Sequence, residues 1–199
     1  MGKLPAGSSA TEHDLDAKVE GQTEMKAQDV VEIVQLLERN DIGVWLDGGW
    51  GVDALLEEQT RPHKDLDLVV ALSDVPRMRA LLAERGFALV AGGPPMSFVL
   101  ADEKGRHIDV HPVTWDEQGN GIYRMQNGQD CVYPASGFAG SGSVLGQRVR
   151  CLTAETQMFL CHTGYELSEK DFREMDALHQ RFGVEYPPEY QKQPTDDLT

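Results

Sequence analysis

Two short segments in which polar and apolar residues alternate do most to restrict the fold of this chain. The first, DLDLVV, spans residues 65–70, and the second, HIDVHPV, spans residues 107–113. Because successive side chains of a strand point to opposite faces of a sheet, this alternation predicts two strands, each with one apolar and one polar face. The polar faces are expected to carry Asp65, Asp67, His107, Asp109 and His111.

The acidic residues on these faces predict a metal site. Asp65 and Asp67 lie about 7 Å apart along one strand, and their carboxylates repel each other unless a cation lies between them. If the two strands are neighbours, Asp109 completes a cluster of three carboxylates. Hard divalent cations such as Mg²⁺ take oxygen ligands and are commonly shared with substrate phosphates. Asp-x-Asp alone is more often a solvated strand edge, but here it follows a basic loop and a glycine turn.

The glycine turn is Gly48-Gly49, directly before a short helical segment that is predicted to begin near Trp50. A helix N-terminus offers backbone N–H groups and a positive dipole end to a phosphate, and glycine lets the backbone approach the anion closely. A plain tight turn is the alternative. In company with the acids, the pair predicts the arrangement that phosphoryl or nucleotidyl transfer needs. Asp47 is expected to cap the helix, and Asp53 to have a structural role.

Periodicity along the rest of the chain predicts an α/β (α+β) fold with a mixed β-sheet flanked by helices. One domain is expected over residues 25–152, and short C-terminal helices over residues 153–185 are expected to pack on it. Residues 1–24 are interpreted as a disordered polar tail and residues 186–199 as a second tail. Helices are predicted at 28–39, 50–58, 74–85, 154–162 and 169–182, and strands at 44–46, 65–72, 87–91, 97–102, 106–113 and 148–152. Residues 116–146 are expected to form short strands and long loops.

Composition narrows the class of protein. The net charge of −15 and pI near 4.7 disfavour a nucleic-acid partner, and they are compatible with a small cationic substrate or a divalent metal. The sequence shows no run long enough to cross a membrane and no secretory signal. The cysteines at 131, 151 and 161 lack metal-ligand spacing. These features predict a cytoplasmic protein.

Several motifs resemble a known family. The Gly-Gly pair, the Asp-x-Asp strand and a third Asp bracketed by hydrophobic residues resemble the signature of the DNA polymerase β nucleotidyltransferase superfamily. WLDGGWGVDALL, TRPHKDLDL, HIDVHPV and LCHTGYELSEKD are similar, more narrowly, to the lincosamide nucleotidyltransferases and the related aminoglycoside 2″-adenylyltransferases. The resemblance runs from about Val30 to Leu178 and implies a nucleotidyltransferase fold. Residues 116–146 match the family least well.

The resemblance implies that AMP passes from ATP to a hydroxyl of a small antibiotic, with a lincosamide favoured, and that pyrophosphate is released. Mg²⁺, as two ions, is the implied cofactor, and a nucleotide and a small-molecule acceptor are the implied partners. Asp65 and Asp67 would bind the metal. Asp109 would be the third carboxylate, as metal ligand, general base or both. The implied nucleotide-binding residues are Gly48, Gly49, Arg61 and His63.

Other functions and roles stay open at this level. The acceptor could be an aminoglycoside, or the chain could be a nucleotidyltransferase-type regulator or antitoxin that acts on a protein. A homodimer is also left open. His111 is expected either to touch substrate or to orient Asp109. His162, Tyr165 and Glu166 are expected either to line the acceptor pocket or to pack at a helix end.

Overall fold

The computed structural model describes residues 22–160 and 167–190. Most of the predicted N-terminal tail, the end of the C-terminal tail and the segment containing His162, Tyr165 and Glu166 lie outside the described residues. The helices are α1 (Ala27–Glu38), α2 (Gly48–Leu56), α3 (Val75–Ala83), α4 (Ala154–Leu160) and α5 (Glu169–Phe182). The strands are β1 (Val44–Asp47), β2 (Asp65–Ala71), β3 (Ala88–Gly92), β4 (Phe98–Ala101), β5 (His107–Trp115), β6 (Gly121–Arg124), β7 (Asp130–Tyr133), β8 (Ser141–Val144) and β9 (Gln147–Arg150). These bounds follow the predicted ranges closely, except that α2 begins at Gly48 rather than at Trp50.

The main sheet has seven strands and mixes parallel and antiparallel pairs, as the sequence predicted. Its central path runs β1-β2-β5-β4-β3, and β6 and β7 extend from the second half of β5. Strands β2 and β5 are parallel, whereas β1 pairs with β2 in the antiparallel direction. A separate hairpin is formed by β8 and β9. The two segments of alternating polar and apolar residues, in β2 and β5, are therefore direct neighbours in the centre of the sheet.

The main hydrophobic core lies on one face of this sheet. The apolar residues of β2 and β5, such as Leu66, Leu68 and Ile108, are fully buried and pack with residues of α1 and α3. Each such side chain contributes about 1.5–3 kcal/mol through removal of its apolar surface from water. The alternation in the sequence thus predicts the core face correctly.

The C-terminal helices pack on α2 through a second hydrophobic cluster. Val52 of α2 contacts a group of buried residues that includes Met158 of α4 and Met175 and Leu178 of α5. Helix α5 is preceded by the N-cap residue Ser168, whose backbone N–H donates to Asp171 Oδ2 at 2.8 Å. In the described part of the chain, no helix has the length and apolar character that crossing a membrane would require.

The hairpin of β8 and β9 approaches α2 closely at Gly142. A Cβ atom at this position would overlap the carbonyl oxygen of Ala54 and lie 2.9 Å from the backbone nitrogen of Leu55. Backbone atoms of a helix cannot move aside as a flexible side chain can. We therefore expect Gly142→Ala to lower the free energy of unfolding by about 3 kcal/mol, measured by urea denaturation. Gly93→Ala is the matched control, because a Cβ there meets no described atom within 4 Å; equal stabilities of the two variants would contradict the packing.

Candidate active site

Three acidic residues form a row across three adjacent strands. Asp47 of β1 is opposite Asp67 of β2, and Asp67 is opposite Asp109 of β5. Residues opposite each other in register point to the same face, so the three carboxylates share the face away from the main core. The sequence predicted Asp67 and Asp109 for this face, and the strand order brings them together. Asp47 was expected only to cap α2, because the partner of β1 cannot be inferred from its own sequence.

The tightest group in this region consists of Asp67, Asp109 and His111. One side-chain ligand atom from each of the three lies within 4.8 Å of the others. His111 Nε2 lies 3.6 Å from Asp67 Oδ1, and the two side chains are 15% and 25% exposed. The group is therefore partly open to solvent, where a small ligand can reach it.

Asp65 and His107 lie at the beginning of the same polar face. They are opposite each other in the register of β2 and β5, and Asp65 is half-buried. Asp65 lies outside the compact group of Asp67, Asp109 and His111. His107 lies on this face, as predicted, but it is only 4% exposed, so other parts of the chain cover it. Residues 23–25 run past this end of the sheet: the Met25 N–H donates to the carbonyl of His63, two residues before Asp65.

The electrostatics of the group follow from burial and from its crowded charges. Burial raises the pKa of Asp67, and the charges of Asp65 and Asp109 raise it further, so that it lies well above its ordinary value despite the opposing charge of His111. Burial alone would lower the pKa of His111, but Asp109, Asp67 and Asp47 raise it to about 10. Without a metal, the imidazolium of His111 thus balances part of the acidic charge.

Gly48 lies directly against the central acid. Its φ of +55° falls in the left-handed region that glycine adopts without strain. A Cβ atom here would overlap Oδ2 of Asp67. The Gly48 N–H donates to Oδ1 of Asp47 at 2.7 Å, as the predicted cap requires. Both the backbone conformation and the close approach therefore require glycine at this position.

Gly49 lies against two basic residues of the loop before β2. A Cβ atom at Gly49 would overlap Nδ1 of His63 and lie 2.7 Å from Nη2 of Arg61. Arg61 is 31% exposed, and its Nε donates to Oε1 of Glu174 at 2.9 Å. The partly exposed side chain of Arg61 thus lies next to the N-terminus of α2, where the sequence predicted phosphate binding.

His63 is placed differently from Arg61. Its side chain is 2% exposed, its Nε2 lies 2.5 Å from Oδ2 of Asp53, and its ring packs 4.7 Å from the ring of Trp50. This burial argues against the predicted direct contact between His63 and a phosphate. The sequence could not show this, because Asp53 lies ten residues earlier on a helix whose orientation only the fold determines. Asp53 also accepts a hydrogen bond from Thr60 N–H at 3.1 Å, which supports the structural role expected for it.

The donor set of this region fits a hard divalent cation. Carboxylate oxygens are the preferred ligands of Mg²⁺, and Asp67 and Asp109 supply them side by side. A cation here would relieve the repulsion that raises the pKa of Asp67. The imidazole of His111 is a less usual ligand for Mg²⁺, and its raised pKa fits a positively charged neighbour of the carboxylates.

Comparison with known proteins identifies the family. The family model described as aminoglycoside-2″-adenylyltransferase matches residues 29–178, which is most of the chain. The chain belongs to this family. A lincosamide resistance protein of Staphylococcus haemolyticus is 29% identical over 146 residues, which cover 73% of this chain and 89% of that protein. A 2″-aminoglycoside nucleotidyltransferase of Escherichia coli is 26% identical over 123 residues, or 60% of this chain and 63% of that protein.

Solved structures agree with this assignment. The crystal structure of a lincosamide antibiotic adenylyltransferase with lincomycin bound has a TM-score of 0.69 and 26% identity, and the match covers 78% of this chain and 98% of that one. A solution structure of an antibiotic-resistance factor, ANT(2″)-Ia, has a TM-score of 0.60 and 18% identity, and the match covers 77% of this chain and 82% of that one. At this identity the likeness shows the fold alone. This member of the aminoglycoside-2″-adenylyltransferase family is a nucleotidyltransferase with the fold that the sequence predicted.

Proposed function

We propose that this nucleotidyltransferase moves AMP from ATP to a hydroxyl of a small antibiotic in a reaction that depends on Mg²⁺, and that a lincosamide is the acceptor. The observation that carries the proposal is the placement of Asp67 opposite Asp109, with Gly48 packed directly on Asp67. Carboxylates for a divalent cation and a backbone turn for phosphate thus adjoin each other, which is what nucleotidyl transfer needs.

Each group of the chain has a defined task in this reaction. Asp67 and Asp109, with Asp65 beside them, would hold Mg²⁺, which neutralises phosphate charge when bound. The turn at Gly48 and Gly49, at the N-terminus of α2, would receive triphosphate oxygens, and Arg61 would pair with them from the loop. Asp109 takes the proton of the acceptor hydroxyl.

The bonds change in one displacement. The acceptor oxygen attacks the α-phosphorus of ATP, and the bond from that phosphorus to the bridging oxygen of the β-phosphate breaks. Pyrophosphate leaves with the electron pair, and AMP remains on the acceptor. The protein contributes mainly position and charge balance, because little covalent chemistry is required of its side chains.

The choice of a lincosamide rests on the relatives. The lincosamide resistance protein matches over 89% of its length, whereas the aminoglycoside enzyme of Escherichia coli matches over 63%. An aminoglycoside is the second candidate, because the net charge of −15 favours a cationic acceptor, and because the matching family model describes an aminoglycoside enzyme.

A direct assay separates these acceptors. The purified protein is incubated with Mg·ATP and a panel of lincosamides and aminoglycosides, and each drug is examined by mass spectrometry for added AMP. We expect AMP on a lincosamide. AMP on an aminoglycoside alone would replace the favoured acceptor by the second candidate. Modification of no drug, together with AMP found on a protein from a cell extract, would favour a regulator and would overturn the proposal.

The glycine turn provides a test of phosphate binding. Gly48→Ala places a methyl group that overlaps Oδ2 of Asp67 and forces alanine to adopt a φ near +55°. We expect kcat/KM for ATP to fall by about tenfold or more, because the metal ligand and the phosphate turn are displaced together. Steady-state pyrophosphate release measures the effect. Gly93→Ala is the control and should retain wild-type kinetics; wild-type kinetics in Gly48→Ala would contradict the role of the turn.

A further inference from the structure

Glu174 of α5 forms an ion pair with the loop that leads into β2. Its Oε1 accepts hydrogen bonds from Nε of Arg61 at 2.9 Å and from Nη2 of Arg61 at 2.5 Å. The Glu174 side chain is 8% exposed, whereas that of Arg61 is 31% exposed. A nearly buried carboxylate from a distant part of the sequence therefore holds the guanidinium of an arginine whose side chain is partly exposed.

The guanidinium group of Arg61 is oriented by a further hydrogen bond besides the ion pair. Nη1 of Arg61 donates to the carbonyl oxygen of Pro62 at 3.2 Å, so both ends of the group are anchored. The Nη2 edge lies beside Gly49, at the N-terminus of α2. The guanidinium has five N–H donors, and its hydrogen bonds to Glu174 and Pro62 use three of them, which leaves two for a ligand that reaches Gly49.

The neighbouring pair of His63 and Asp53 differs from the pair of Arg61 and Glu174 in its exposure to solvent. Both side chains of that pair are 2% exposed, and they support the backbone at Gly49 from the interior. Arg61 lies against the same buried glycine, but its own side chain is 31% exposed. Of the two basic residues that contact Gly49, only Arg61 is therefore placed to meet a ligand in solvent.

We propose that Glu174 is a positioning residue for nucleotide binding, which fixes the guanidinium of Arg61 beside Gly49 so that it receives the β- and γ-phosphates of ATP. This inference rests on the proposed function and extends it to the C-terminal helix. Arginine side chains lose considerable rotamer freedom when they bind a ligand. If Arg61 is oriented before ATP binds, it loses less conformational entropy on binding, so the affinity for the triphosphate is higher.

Two substitutions of Glu174 separate orientation from charge. Glu174→Ala removes the acceptor of the two hydrogen bonds that Arg61 donates to Glu174. We expect the affinity for Mg·ATP to fall by about tenfold, the size of a lost charge-assisted contact. Glu174→Gln keeps an oxygen acceptor and removes only the negative charge, so its affinity should stay close to wild type. Isothermal titration calorimetry with Mg·ATP, and separately with adenosine, measures both. Adenosine lacks phosphates, and its affinity should be unchanged in both variants.

A matched control lies on the same helix. Glu169 forms an exposed ion pair with Arg173 at 3.0 Å, and Glu169→Ala should leave the affinity for Mg·ATP unchanged. Arg61→Gln should weaken Mg·ATP binding by itself, and adding Glu174→Ala to it should have no further effect, because the two residues act as one unit. If Glu174→Ala does not fold, Glu174→Met retains similar volume without an acceptor and takes its place.

The outcomes that overturn the inference are distinct. Equal loss of ATP and adenosine affinity would show that Glu174 only stabilises the fold. Tighter Mg·ATP binding in both Glu174→Ala and Glu174→Gln would show that the carboxylate competes with phosphate. Unchanged ATP affinity in Glu174→Ala would remove any role. Since binding is measured without an acceptor, these results stand even if no antibiotic is modified, so failure of the inference and failure of the proposed function can be told apart.

Discussion

Asp67→Asn is expected to abolish AMP transfer while the protein stays folded. Asp67 lies between Asp47 and Asp109 in the row of acids, and its carboxylate also touches the glycine turn. Asparagine keeps the shape but removes the charge that a divalent cation needs. We expect kcat/KM to fall by about 10³-fold, the size found when a charge-stabilising group is removed from an active site. The rate of pyrophosphate release, with an acceptor to which the wild-type enzyme adds AMP, measures this loss.

The stability of Asp67→Asn should move in the opposite direction. Because its pKa is raised in the folded protein, the unfolded chain ionises this carboxyl more readily, so ionised Asp67 lowers stability at neutral pH when no metal is bound. The variant should therefore unfold at an equal or higher temperature than wild type. Added Mg·ATP should raise the unfolding temperature of wild type more than that of the variant. Full turnover by Asp67→Asn would refute its role as a metal ligand.

Asp109→Asn is expected to slow the chemical step far more than it weakens ATP binding. Asp109 lies opposite Asp67 and within the compact group that includes His111, so it is placed for both metal binding and proton transfer. Loss of a general base costs about 10²–10⁴-fold in kcat. Single-turnover kinetics give the chemical rate, and calorimetry with Mg·ATP gives the affinity.

The control for Asp109→Asn is an acid of the same sheet that lies outside the site. Asp130 of β7 forms an exposed ion pair with Arg124, and Asp130→Asn should keep wild-type kinetics. If Asp109→Asn changed only the affinity for ATP and left the chemical rate intact, Asp109 would be a metal or nucleotide contact and not the base.

The position of His111 shows how far sequence patterns carry. Alternation in HIDVH placed His111 on the face of Asp109, and the fold confirms that face. The sequence left two roles open for it. The structure places His111 Nε2 near Asp67, not only near Asp109, and the surrounding acids raise its pKa to about 10. Its charge therefore depends on residues of three strands, which no local pattern can reveal.

Arg61 and His63 illustrate the opposite limit. They are two residues apart in one basic loop, and the family resemblance implied nucleotide binding for both. The fold separates them: His63 is buried against Asp53 and Trp50, and Arg61 is held at the surface by Glu174. The sequence provided no signal for Glu174, because its partner is more than one hundred positions away and an acid on an amphipathic helix is ordinarily solvated.

The sequence by itself determined the strands outside residues 116–146, the face of β2 and of β5 that carries acids, the glycine turn and the family. These are local properties, because alternation, helix spacing and turn chemistry depend on residues only a few positions apart. Only the tertiary structure decided that β2 and β5 are parallel neighbours, that Asp47 joins the row of acids, and that Glu174 reaches Arg61. Those contacts join residues that are distant in the chain, and their register is set by the packing of the whole sheet and its helices.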